Sequence, residues 1–184
     1  HLPARTDFRL EKLGHVAVWH GAADCATQAA LEEAWHSLTS GEPGGPIELT
    51  VKGRKVAVPK AALGVAWFSF DELCGQPLGA ADYLKIAREF HTLIIENIPV
   101  MGYERRNEAR RFVALIDTLY DNAVKVIASA SAEPDRLYEG SEGNEAHEFR
   151  RTASRLMEMR SQDYLALPHG KRVNGARLEG IVET

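Results

Sequence analysis

Two short, almost uninterrupted apolar runs constrain this chain most. His91-Thr-Leu-Ile-Ile95 and Val124-Lys-Val-Ile-Ala128 are too short for helices and do not alternate, the pattern of strands buried in a parallel sheet. Between them, residues 104–121 set Ala109, Phe112, Val113, Leu115, Ile116 and Leu119 at helical spacing on one face. A buried strand, an amphipathic helix and a second buried strand make a βαβ unit, whose crossover is right-handed.

The remaining elements follow from the same periodicities. Residues 13–20 read as a strand, with Val16 and Val18 on one face and Ala17 and Trp19 on the other. Residues 24–39 read as a helix with Asp24 as its N-cap, stopped by Gly41 and the Glu42-Pro-Gly-Gly-Pro46 run. Apolar alternation in Ile47–Val51 and Val56–Val58 predicts a hairpin. A two-residue turn at Gly53-Arg54 would set Val51 opposite Val56 and Leu49 opposite Val58, so the apolar faces agree. Residues 64–70 are a further strand, 71–74 one helical turn, 79–90 a helix, 133–144 a loop with a short turn, and 146–160 a last helix. The expected fold is α/β: a mixed sheet with a hairpin-containing N-terminal part and a C-terminal strand-helix-strand unit flanked by helices. Three segments are expected: 1–69, 70–167, and a polar, mobile tail over 168–184.

Composition removes several function classes. The chain has 184 residues, 22 basic and 26 acidic, for a net charge of −4. This balance argues against a dedicated nucleic-acid binder. No apolar run approaches the ~18 residues of a membrane span. Cys25 and Cys74 cannot make a disulfide scaffold. No signal peptide is visible.

No autonomous catalytic motif is present: no G-x-x-x-x-G-K-[ST] phosphate loop, no G-x-S-x-G, no H-E-x-x-H and no C-x-x-C. His15 and His20 lie five apart on a predicted strand, face opposite ways and cannot chelate together. Nothing cation-rich surrounds either cysteine in sequence, so both are expected to be unreactive. The charged clusters say more. Four arginines, Arg105, Arg106, Arg110 and Arg111, crowd the first two turns of the 104–121 helix, where the macrodipole disfavours each cation by ~0.3–1 kcal/mol. Glu104 and Glu108 could offset them; an anionic partner would account for them otherwise. In the last helix Arg151 and Arg155 sit at i,i+4, with Glu148 and Glu158 each three residues from one of them. The sharper reading has Arg155 reaching a phosphate across a subunit boundary. Glu96, at the carboxyl end of a buried strand, is a weak candidate acid. A rival reading pairs it with Asp117 as two catalytic carboxylates, against a structural ion pair of Asp117 with an arginine.

Four stretches together resemble one family. They are Phe70-Asp-Glu-Leu-Cys-Gly-Gln-Pro-Leu-Gly-Ala-Ala-Asp-Tyr-Leu84, Ala109-Arg-Arg-Phe-Val-Ala-Leu-Ile-Asp-Thr-Leu-Tyr120, Val124-Lys-Val-Ile-Ala-Ser-Ala130 and Arg151-Thr-Ala-Ser-Arg-Leu-Met-Glu-Met159. They are similar to the carboxyl-terminal portion of the ZapE cell-division ATPases and their mitochondrial homologues, AAA-type P-loop ATPases. The resemblance runs from about residue 5 to 167. It implies that the phosphate loop, the main Walker B acid and the sensor asparagine of such a protein lie upstream of His1, so this chain would begin after its own active site and would not hydrolyse ATP alone. It also implies ATP and Mg in the intact protein. The implied partners are an upstream ATPase core and a protein such as the FtsZ division ring in bacteria, or a role in respiratory-chain protein quality control in mitochondria. The implied location is the bacterial cytoplasm, or the mitochondrion in a eukaryote; a homo-oligomer stays open. Asp71, Asp82, Tyr83, Arg110, Arg111, Asp117, Tyr120, Arg151, Ser154, Arg155 and Glu158 match recurrent family motifs without assigned roles. The family favours two acids before Ile98-Pro99, where this chain has Glu96-Asn97. Arg110, Arg111, Arg151 and Arg155 are therefore the candidates for contact with nucleotide phosphate or a partner, and no metal ligand is assigned. The alternative is an interaction module that binds an acidic partner surface through the same arginines.

Overall fold

The apolar runs pair into one sheet. The computed structural model describes residues 18–21 and 25–171. Its strands are β1 (Trp19–His20), β2 (Gly45–Val51), β3 (Arg54–Ala62), β4 (Val65–Ser69), β5 (Thr92–Ile98) and β6 (Lys125–Ala130). Its helices are α1 (Cys25–Thr39), α2 (Phe70–Cys74), α3 (Ala80–Glu89), α4 (Arg106–Asp121), α5 (Asn144–Glu158) and α6 (Gln162–Leu165). The spatial order is β1-β6-β5-β4-β3-β2. β1, β6, β5 and β4 are parallel, and β3 and β2 add antiparallel. This is the mixed α/β sheet expected. The readings at residues 1–17 and 22–24, including His15 and the Asp24 cap, lie outside the described residues, as do residues 172–184 of the tail.

Helices cover both faces of the sheet. On one, α1 lays Leu31, Ala34 and Trp35 on Val65, Trp67, Ile94 and Ile127. On the other, α2, α3, α4 and α5 cover Ala66, Phe68, Leu93, Ile95, Val126 and Ala128. Successive residues of β4, β5 and β6 thus serve opposite cores, which is why those runs carry no polar alternation. All six residues expected on the inner face of α4 are buried. Phe112 joins Phe70 at 5.9 Å and Phe149 at 5.8 Å, and Phe149 stacks on Tyr138 at 5.5 Å, an aromatic ladder from sheet to surface.

Local chemistry sets the helix starts. Ser69 and Glu72 form a capping box at α2: Glu72 N–H donates to Ser69 Oγ at 3.1 Å, and Ser69 N–H to Glu72 Oε1 at 2.7 Å. At α3, Asp82 accepts the Gly79 N–H at 2.7 Å and a hydrogen bond from Arg54 of the hairpin at 2.6 Å. Burial alone would push Asp82 up, but Arg54 and the Gly79 N–H outweigh it, and the carboxyl lies below its ordinary range.

The hairpin turn differs from expectation. Lys52 and Gly53 form it, with φ of 49° and 79°, and Val51 pairs with Arg54, Leu49 with Val56, and Ile47 with Val58. Two left-handed residues make a type I′ turn, which matches strand twist and puts glycine second. The register moves by two residues, an even shift, so Leu49, Val51, Val56 and Val58 still share the buried face.

The C-terminal segment is fastened beneath the sheet. Tyr164 Oη donates to Val124 O at 2.7 Å, and the buried Lys125 Nζ donates to Leu167 O at 2.8 Å. Within the segment read as a mobile tail, His169 Nε2 donates to Ala87 O at 2.6 Å and Gly170 N–H to Asn122 O at 2.9 Å.

Candidate functional site

The two arginine clusters meet along the packed pair α4 and α5. A 3-10 turn, Tyr103–Arg105, leads into α4. The Arg106 guanidinium lies over the Tyr103 ring at 4.5 Å, and Arg105 stands 3.8 Å from Glu108. One turn on, the cluster divides. Arg110 reaches outward to α5, where its Nε donates to Glu145 Oε1 at 2.9 Å. Arg111 reaches inward, and its Nη1 donates to Cys74 O at 3.0 Å, placing a cation on the carbonyl end of α2. The Arg110 hydrogen bond holds Glu145 below the usual carboxylate range.

On α5 the arginines bypass the acids of their own helix. Both converge on Asp117 of α4: Arg155 hydrogen-bonds Oδ1, and Arg151 Nη2 stands 3.5 Å from Oδ2. Arg155 also covers the Tyr120 ring at 5.0 Å, and Tyr120 Oη donates to Glu158 at 2.6 Å. Expected relief from Glu148 and Glu158 is thus replaced by a carboxylate on the neighbouring helix. The i,i+4 spacing aims both guanidiniums at α4, and Asp117 has two oxygens to offer them. Arg155 is 26% exposed and Arg151 61%, so Arg151 is the one that can turn to a partner without uncovering the helix interface.

Glu96 sits elsewhere. It lies at the carboxyl end of β5 on the α1 side, beside a cavity of about 350 Å³ lined with Gln28, Glu32, Lys60, Trp67 and Glu72. Burial pushes its carboxyl up, and the nearby Glu72 and Glu32 add to the rise. Lys60 Nζ lies between Trp35 and Trp67, 4.5 and 4.9 Å from their rings. Asp117 belongs to a helix on the other face and is engaged by arginines. Glu96 and Asp117 therefore form no catalytic pair, which corrects that reading. Among the described residues, no group of three or more His, Cys, Asp or Glu could hold a metal.

The other candidates have structural surroundings. Cys74 is buried, which pushes its thiol far up and leaves it protonated. Cys25 is exposed. Tyr83 Oη donates to Leu73 O at 2.8 Å, and Ser154 Oγ to Arg150 O at 3.2 Å. His20 Nε2 is buried without a hydrogen-bond partner among the described residues. Glu145 went unnoticed in the sequence because it stands 35 residues from Arg110. Its place as the acid in the first turn of the next helix was the available signal.

Comparison with known proteins adds an independent observation. The AFG1-like ATPase family model matches residues 2–168. Cell division protein ZapE of Escherichia coli K12 is 32% identical over 169 residues, covering 92% of this chain and 44% of ZapE. Lactation elevated protein 1 homolog B of Danio rerio is 36% identical over 172 residues, covering 77% of this chain and 34% of that protein. An uncharacterized protein of Schizosaccharomyces pombe is 36% identical over 153 residues, covering 69% of this chain and 34% of its own length. The chain thus spans less than half the length of these relatives. No solved structure matches it.

Proposed function

The chain belongs to the AFG1-like ATPase family, and from that premise we propose that it is the carboxyl-terminal α/β part of a ZapE-like P-loop ATPase. The intact protein would bind and hydrolyse ATP with Mg and act on a protein partner: the FtsZ division ring in the cytoplasm of a bacterium, or respiratory-chain proteins in a mitochondrion. The observation that carries this reading is the family match across the whole described sheet, in a chain with no phosphate loop of its own. Cradling phosphates needs the Gly-rich loop and its lysine, so these 184 residues alone do not turn over ATP. No helix among the described residues is long and apolar enough to cross a membrane.

Within this reading the α4–α5 surface is the contact face. Arg110 and Arg111 fix α4 to α5 and α2. Arg155 holds the Asp117–Tyr120 corner, and Arg151 is the group offered to an anion of nucleotide or partner. A second reading rests on Arg151's exposure alone: the surface binds an acidic protein face and nucleotide is irrelevant. The test uses a chain that carries the ATPase core upstream of these residues. If Arg151→Ala lowers kcat by tenfold or more at constant partner affinity, the nucleotide role holds; a tenfold change is about 1.4 kcal/mol. If the rate is unchanged and partner capture is lost, the interaction reading replaces it. Turnover of Mg-ATP by the 184-residue chain, abolished by Arg155→Ala, would refute both.

A further inference from the structure

The aromatic ladder ends at a cavity. Phe112, Phe149 and Tyr138 stack outward from the sheet, and a hollow of about 360 Å³ lies between the Tyr138 loop and α5. That volume is at the small end of the range of small-molecule sites. Tyr138, Phe149, Ala153 and Met157 form its apolar wall. Met157 is one of four large apolar side chains exposed among the described residues. The wall is fixed from behind. Tyr138 bridges to Met101, whose N–H donates to Leu137 O at 2.7 Å and whose carbonyl accepts the Glu139 N–H at 2.9 Å. Phe149 is buried between Phe112 and Tyr138. A flat apolar group can therefore pack here without first ordering the loop.

Two charges of opposite sign line the same cavity, Asp135 from the loop and Arg150 from α5. Neither forms an ion pair among the described residues, and Arg150 Nη2 stands 3.5 Å from His147 Nδ1. Arg151 and Arg155 both meet Asp117, so Arg150 is the arginine of α5 without a carboxylate among the described residues. A ligand with one sign of charge is attracted by one of these two groups and repelled by the other. A ligand that carries both signs a short distance apart is attracted twice, and each contact is a charge-assisted hydrogen bond.

We propose that this cavity binds a free aromatic α-amino acid, its ring against Tyr138, Phe149 and Met157, its carboxylate on Arg150 and its ammonium on Asp135. The thioether of Met157 suits an aromatic edge, and the rings of the ladder offer an offset stack. None of Arg110, Arg111, Arg151 and Arg155 lines the cavity, so this proposal and the ATPase reading can each fail alone.

L-Phenylalanine is the probe, titrated calorimetrically into the 184-residue chain beside three analogues that each lack one feature. L-Phenylalaninamide lacks the carboxylate, N-acetyl-L-phenylalanine the ammonium, and L-alanine the ring. L-Phenylalanine is expected to bind saturably, and each analogue at least ~10-fold more weakly, the worth of one charge-assisted hydrogen bond or of the buried ring. Arg150→Gln is expected to weaken L-phenylalanine ~10-fold and to leave the amide unchanged. Asp135→Asn is expected to weaken it by a similar factor and to leave the N-acetyl compound unchanged. Ring proton resonances of Tyr138 in the unaltered chain give a readout that needs no variant: they move with saturation. Absence of saturable binding overturns the proposal, as does binding that leaves the Tyr138 signals in place. L-Alanine or the amide binding as tightly as L-phenylalanine overturns it too. N-acetyl-L-phenylalanine binding equally tightly overturns it in favour of the carboxyl end of a peptide.

Discussion

The link between hairpin and α3 can be measured through Asp82. Asp82 is fully buried, yet its partner Arg54 has a side chain that is 52% exposed. Replacing Asp82 with alanine removes the cap on the Gly79 N–H, worth about 1 kcal/mol. It also removes the charge-assisted bond from Arg54, worth ~1.5–3 kcal/mol in general and nearer the low end here because water screens the exposed guanidinium. The expected loss is about 2–3 kcal/mol, read as a fall of ~1 M in the urea midpoint at pH 7. Asp82→Asn keeps an acceptor for the cap and loses the charge, so about half of that loss is expected. The pH dependence has a definite sign. The folded carboxyl lies below its ordinary value. Its contribution is therefore complete above the unfolded pKa of about 3.9 and disappears as pH falls through the folded value. The gap between parent and Asp82→Ala should close in acid. A gap under ~0.5 kcal/mol at neutral pH, or one undiminished in acid, would refute the argument, as would a double-mutant cycle with Arg54→Ala showing no coupling.

Four further outcomes are expected. Gly53→Ala should cost about 1 kcal/mol in urea unfolding, because its φ of 79° is unfavourable for any residue with a β-carbon although nothing lies within 4 Å. Under native conditions a thiol reagent should reach the exposed Cys25, and Cys74 only after unfolding. Asp117→Ala should cost about 1 kcal/mol and free Arg155 from α4, seen as loss of amide-exchange protection in α5. Glu96→Gln should stabilise the chain at neutral pH. Burial raises the folded carboxyl above its unfolded value, so ionisation there opposes folding, and the gain should vanish below about pH 4.

Where one element's own pattern decided the outcome, the sequence was legible. The βαβ unit around α4, its six buried residues and the buried character of β5 and β6 all follow from apolar periodicity. The hairpin shows the limit: face assignment survived while the turn moved, because alternation determines parity and turn dihedrals determine register. The arginines show another limit. Their excess was visible, but the acids that meet them come from the neighbouring helix, and one-dimensional spacing pairs residues only within a helix. Strand order was invisible for the same reason, since it depends on long-range pairing.

The pairing of β1 with β6 has a consequence for assembly. Trp19 Nε1 donates to Ala132 O across 113 residues of chain. Closing a loop of that length costs about 4 kcal/mol in the logarithmic term alone, before any local contact repays it. β1 therefore docks late, after β5, α4 and β6 have formed their own core, and during synthesis it waits for most of the chain to emerge. Non-local pairings of this kind slow folding. Among the described strands, β1 is the one whose place in the sheet depends on the partner most distant in sequence.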